Sequence, residues 1–164
     1  MDAAVAVGRK AAEERVTIVY GGGRVGLMGA VAGAALAAGG DVIGVIPKYL
    51  CDREVLHPDL TETHIVDDLF ARKEIMLQMG DAFATLPGGF GTLDEFFEVA
   101  SWIQLKQFDK PNVLVNVEGF FDPLLKLMEH AVGAEFADLA HLSQTAIVDS
   151  PDALFDLLGG YADP

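Results

Sequence analysis

Leu86-Pro87-Gly88-Gly89-Phe90-Gly91-Thr92-Leu93-Asp94-Glu95 follows an apolar run, 82–86, that reads as a buried strand, and opens an amphipathic run that reads as a helix. Its three glycines allow a tight turn and a close backbone approach to a ligand, because no Cβ stands in the way. The helix that follows turns its free N–H groups and positive dipole end toward whatever occupies the turn. A strand, glycine turn and helix in that order form a phosphate cradle. Glu95 adds a carboxylate in the expected first helical turn, so anion binding and chemistry can share one site. Thr92-x-x-Glu95 equally fits a capping box, in which Glu95 only satisfies a backbone N–H. The residues alone leave both readings open.

Outward from this stretch the chain alternates between helical and extended patterns. Helices are expected at 2–14, 25–38, 68–79, 93–107, 123–132 and 151–158, and strands at 16–20, 41–46, 63–66, 81–86, 112–117 and 145–148. An irregular stretch separates the second strand from the third, up to about residue 62. Asp122-Pro123 and Ser150-Pro151 each place a capping side chain before a proline at the first helical position. Strands that are apolar throughout and alternate with helices predict a parallel sheet. The fold class is therefore α/β, a three-layer, Rossmann-like, doubly wound parallel sheet with helices on both faces. Ligands in such folds bind outside the carboxyl ends of the strands, where both glycine turns of this chain lie. The chain opens with a helix where such a sheet normally opens with a strand; either that strand is absent or the start is internal to a longer product.

At 164 residues the chain is expected to be one domain, 1–164, burying roughly two thirds of its unfolded surface. Half of it is hydrophobic (51%), and the mean hydropathy is +0.33. Its longest apolar runs, such as 30–38, are short and broken by glycine, which excludes a transmembrane span or signal peptide. The excess fits a sheet covered on both faces plus a subunit interface. A net charge of −14, with 11 basic residues that form no cluster, argues against nucleic acid. A phosphorylated small molecule is still admissible, since local donors hold it. One cysteine, Cys51, rules out an internal disulfide and fits a reducing cytoplasm. His57, His64, His130 and His141 show no metal-ligand spacing, and Asp67-Asp68 reads as a helix cap. No metal and no organic cofactor are expected.

Gly21-Gly22-Gly23-Arg24-Val25-Gly26 matches G-x-G-x-x-G between a strand and a helix, the context of a dinucleotide fingerprint. That fingerprint also needs an acidic residue about 20 positions on, for the ribose hydroxyls. Here the next strand runs into Ile46-Pro47-Lys48, which disfavours a dinucleotide-dependent oxidoreductase. The turn serves either close packing or contact with a nucleotide.

Arg72-Lys73 lies on the helix before the second glycine turn, in company with Asp67, Asp68, Met76 and Asp81. Together with Pro87-Gly88-Gly89-x-Gly91-Thr92-x-x-Glu95 this pair resembles the signature of the LOG ("Lonely guy") family, the cytokinin riboside 5′-monophosphate phosphoribohydrolases. Bacterial members are often mislabelled lysine decarboxylases. The turn Val19-Tyr20-Gly21-Gly22-Gly23 with Gly26-Leu27-Met28-Gly29, and Glu98, Trp102 and Gln104-Leu105 downstream, extend the likeness over about residues 3–158. One departure is Leu69-Phe70-Ala71-Arg72-Lys73, where the family usually has Met-His-x-Arg-Lys; the histidine's polar contact is lost. The family's opening strand and its Gly-Ser loop have no counterpart.

The resemblance implies hydrolysis of the N-glycosidic bond of a nucleoside 5′-monophosphate, with free base and ribose 5-phosphate as products. It assigns catalysis to Arg72 and Glu95. A carboxylate suits a transition state that builds positive charge on the ribose, and the arginine fork can orient a carboxylate or a ligand oxygen. The N–H groups of Gly88, Gly89, Phe90, Gly91 and Thr92, with the Thr92 hydroxyl, would take the 5′-phosphate. Lys73 and Glu98 are further candidates for phosphate or ribose. Met28, Phe90 and Trp102 could line an apolar base pocket, or could belong to the core or an interface. The family likeness also suggests a homodimer. The runner-up is a nucleotide-binding sensor or carrier without turnover, which would need the glycine turn but not the Arg72 and Glu95 pair.

Overall fold

The structure, a computed structural model, describes residues 1–51 and 56–162. The chain folds as two compact units, Met1–Gly80 and Asp81–Pro164.

In the first unit, α1 (Asp2–Glu13) buries Ala4, Val7, Gly8 and Ala11, spaced three or four residues apart so that they form one helical face. That face packs on α2 (Gly26–Ala37), whose Val31, Ala32 and Ala35 are buried in turn. Between and after them come β1 (Ile18–Tyr20), β2 (Val42–Pro47) and β3 (Glu62–Val66), in the order β1-β2-β3 and parallel throughout. The central strand β2 buries Val42, Val45 and Ile46 completely, as a strand covered on both faces must. Ala32, Ala35 and Val42 form a core that Ile18, Tyr20, Leu36 and Leu60 complete. α3 (Leu69–Met79) packs against β2.

The second unit repeats the plan. β4 (Phe83–Thr85), β5 (Asn112–Val115) and β6 (Thr145–Val148) form a parallel sheet in that order, with every residue of β5 buried. α4 (Phe90–Gln104) buries Phe96, Val99 and Ile103. Phe96 packs with Leu114 and Phe121, ringed by Leu93, Leu124, Leu125 and Met128. α5 (Asp122–Gly133), the short α6 (Leu139–Leu142) and α7 (Pro151–Ala162) complete the unit, α7 against β5 and β6.

The expected alternation and parallel pairing are found, with several corrections. Among the described residues each unit carries its own three-stranded parallel sheet. α4 begins at Phe90, three residues before its expected start. Asp122 is not a cap: it lies inside α5, whose N-cap is Phe121, and its Oδ1 accepts from Asn116 Nδ2 at 2.8 Å. Ser150 does cap, accepting from the Ala153 N–H at 3.4 Å. α6, capped reciprocally by Asp138 and His141, was too short to leave a periodic signal. Part of the expected irregular stretch, 52–55, lies outside the described residues.

Candidate functional site

In the first unit the chain leaves β1 at Tyr20 and enters the first glycine turn with Gly21, Gly22 and Gly23 all buried. The turn is held from several directions. The Tyr20 hydroxyl donates to the Gly23 carbonyl at 3.1 Å, and the His57 N–H donates to the Gly22 carbonyl at 2.9 Å. Gly23 also forms an antiparallel bridge with Leu56. Burial pushes the Tyr20 phenol up to about 12, so this donor keeps its proton at neutral pH.

Arg72 reaches the same turn from α3. Asp68 caps that helix, its Oδ1 accepting from the Ala71 N–H at 2.8 Å, so the helix-cap reading of Asp68 stands. Arg72 is 7% exposed, and its guanidinium lies against Gly21. A Cβ added to Gly21 would collide with Arg72 Nη2 and stand 2.9 Å from Cζ. Lys73, one position on and about 100° around the helix, faces elsewhere. Its Nζ stands 5.7 Å over the ring of Phe70, which is 78% exposed. Phe70, which stands where the family resemblance expects a histidine, thus makes a cation–π contact with this ammonium. Met28 is partly exposed on α2.

In the second unit the other glycine turn is built by α4 itself. Gly89 is the N-cap, and the first intrahelical bond runs from the Leu93 N–H to the Gly89 carbonyl at 3.1 Å. The N–H groups of Phe90, Gly91 and Thr92 therefore precede the helical ladder. Gly89, Phe90 and Gly91 are exposed, Phe90 at 93%. Thr92 folds back over Gly88, where an added Cβ would meet the Thr92 hydroxyl and lie 2.7 Å from its Cβ. This removes the capping box: Thr92 is the third helical residue, not the cap. Glu95 accordingly stands in the second turn, not the first, about 7.5 Å along the axis from Phe90.

Glu95 and Glu98 are half-buried and lie on one side of α4, flanking the buried face of Phe96, Val99 and Ile103. Trp102 shares that side but lies about 18 Å along the axis from Phe90. There its ring packs 5.9 Å from Phe108, which packs 5.6 Å from Phe83. This aromatic cluster gives Trp102 a packing role at the far end of the helix. A cavity of about 720 Å³ is lined by Ile103, Lys106, Phe108 and Asn112 among others, near the amino ends of β5 and β6. It is at the opposite end of the strands from the glycine turn. Among the described residues no three His, Cys, Asp or Glu side chains gather as a metal site.

The first turn's cradle for Arg72 had no signal in the sequence beyond the glycines themselves, because the two partners are far apart along the chain.

The family described as "Possible lysine decarboxylase" matches residues 28–158. The chain is 46% identical over 142 residues to the cytokinin riboside 5′-monophosphate phosphoribohydrolase of Rhodococcoides fascians, covering 86% of this chain and 72% of that protein. The chain belongs to the LOG family. It is also 44% identical over 152 residues to the LOG phosphoribohydrolase of Oryza sativa subsp. japonica, spanning 93% of this chain and 62% of that relative. The match to LOG7 of Arabidopsis thaliana is 42% over 152 residues, with 93% and 69% covered. Relative to these LOG proteins the chain therefore spans about two thirds of their length.

Solved structures agree on the fold. The molybdenum cofactor binding protein of Rippkaea orientalis superposes with a TM-score of 0.73 at 23% identity, covering 98% of this chain and 86% of that one. The molybdenum cofactor carrier protein of Chlamydomonas reinhardtii gives 0.71 at 19%, covering 97% and 85%. At such identities the likeness concerns the fold alone. No helix among the described residues is long and apolar enough to cross a membrane.

Proposed function

We propose that this LOG-family chain, acting as one catalytic domain over residues 1–164, hydrolyses the N-glycosidic bond of cytokinin riboside 5′-monophosphates, and of AMP. Water adds to the anomeric carbon, the bond to the base nitrogen breaks, and free base and ribose 5-phosphate leave. The observation that carries the reading is Glu95 inside α4, half-buried and one and a half turns beyond an exposed N-terminal cradle. That spacing is comparable with the ribose that separates a 5′-phosphate from its anomeric carbon. The curated names of the LOG relatives support the same reaction.

In this reading the N–H groups of Gly88 to Thr92 and the Thr92 hydroxyl anchor the phosphate. Binding energy there orients the sugar at the reacting carbon. The Glu95 carboxylate stabilises the charge that develops on the ribose or takes a proton from the attacking water. Arg72 orients a carboxylate or ligand oxygen through its fork. Glu98 contacts the ribose hydroxyls, Lys73 gives a weaker contact with phosphate or ribose, and Met28 and Phe90 border the base. No metal or organic cofactor takes part, the protein works in the reducing cytoplasm without nucleic-acid partners, and it assembles as a homodimer.

Release of free base from AMP and from isopentenyl-AMP tests the proposal, with Glu95→Gln and Arg72→Ala measured alongside. Release by the unaltered protein that falls at least a hundredfold in each variant is the expected result. The ratio of rates names the preferred base. Binding of the monophosphate with no release from either nucleotide would sink the enzyme reading and leave the non-catalytic sensor.

A further inference from the structure

We propose that Gly21 is a positioning residue for Arg72, present because the arginine fork occupies the space a Cβ would need. The inference rests on the catalytic reading of Arg72 for its functional consequence, but its structural content stands alone.

The backbone at Gly21 does not itself call for glycine. The glycines in the left-handed region are Gly22, Gly26, Gly39 and Gly119, and Gly21 is not among them. An alanine could adopt its conformation without strain. What excludes a side chain is Arg72: the added Cβ would overlap Nη2 and lie 2.9 Å from Cζ and 3.5 Å from Nε, and no other atom of the described residues stands nearer than these. The three closest neighbours all belong to one guanidinium.

One of the two sides must yield on substitution, and the contacts decide which. The turn is tethered through the carbonyls of Gly22 and Gly23 and through the bridge to Leu56. Gly22 is moreover backed by Gly44 on β2: a Cβ on Gly44 would come 2.9 Å from Gly22 Cα. Arg72, by contrast, presents the far end of a long side chain with several rotatable bonds. The guanidinium therefore moves and the turn stays. The glycine acts as a flat wall that sets where the fork can rest, and Arg72, at 7% exposure, is pressed against it. The first glycine-rich segment thereby acquires a role that needs no contact with a ligand.

A double-mutant cycle over Gly21→Ala and Arg72→Ala tests this by melting temperature and by turnover. In the unaltered background Gly21→Ala is expected to lower the melting temperature. In the Arg72→Ala background the space is vacant, and the same change is expected to be neutral or to raise it, because alanine restricts only the unfolded chain. Turnover of the monophosphate should fall in Gly21→Ala by about a hundredfold, in kcat rather than KM, since the misplaced group is the fork and not the phosphate anchor. The double variant should be no slower than Arg72→Ala.

Equal drops in melting temperature in both backgrounds would overturn the proposal, as would full stability and full turnover in Gly21→Ala. If Gly21→Ala fails to fold, a folded double variant supports the proposal and an unfolded one overturns it. Full turnover in Arg72→Ala would sink the catalytic reading of that residue while leaving the coupling of melting temperatures to be judged by itself.

Discussion

Tyr20 holds its proton more tightly than the free side chain does. Burial raises its phenol from 10.0 to about 12, while its hydroxyl donates to Gly23 and ties down the first glycine turn. A raised folded-state pKa means that the unfolded chain loses the proton first. The stabilisation is complete below pH 10 and disappears as the pH rises through about 12. The native phenolate absorbance of Tyr20 should therefore emerge late in an alkaline titration and vanish in Tyr20→Phe. That variant should also lose part of the fall in stability between those two pH values. The Phe70 ring, 5.7 Å from the Lys73 ammonium, is a contact at the same scale. That Arg72 and Glu95 are candidates for the chemistry was legible from the resemblance of their motifs to the LOG signature. That one of them leans on Gly21 was not, because the contact joins positions that no local pattern connects.

Among the elements, α4 and the turn before it matter most. The apolar spacing of Phe96, Val99 and Ile103 announced the helix, and the glycines announced the turn. Its first residue was missed because Thr92-x-x-Glu95 imitates a cap, whereas the chain closes its first helical bond onto Gly89. Thr92, the third helical residue, packs over Gly88. Gly88→Ala should consequently distort the cradle, because the obstructing Thr92 Cβ at 2.7 Å sits on the helix backbone and cannot swing away. The expected outcome is a rise of at least tenfold in KM for the monophosphate. Thr92→Val, which keeps the shape and removes the hydroxyl donor, should raise KM by roughly tenfold or more. Steady-state kinetics on the two variants separates the wall of the cradle from its donor.

At the scale of the whole molecule two quantities pull against each other. The surface keeps large apolar side chains in water: Leu69 and Phe70 on α3 in the first unit, and Leu127, Phe136 and Leu139 in the second. Each chain also carries a net charge of −14, which opposes association. Apolar faces of this kind favour a partner, and the homodimer follows if burying them outweighs the repulsion. Sedimentation should then report 2 × 17.4 = 34.8 kDa. Added salt screens the charge and leaves the apolar term, so the dimer should tighten as ionic strength rises. A monomer at every salt concentration would contradict the assembly.

Much of this protein is written in short-range patterns. The order of helices and strands, the parallel pairing and the placement of both glycine turns at strand ends follow from periodicity and from backbone preferences that act over a few residues. The paired Arg72-Lys73 and Pro87 to Glu95 motifs carried the resemblance to the LOG family. Tertiary structure alone decided which strand pairs with which in each sheet. It alone set the Arg72 fork against Gly21. These outcomes depend on which atoms exclude one another after segments distant along the chain have packed, and that exclusion has no signature in the local sequence.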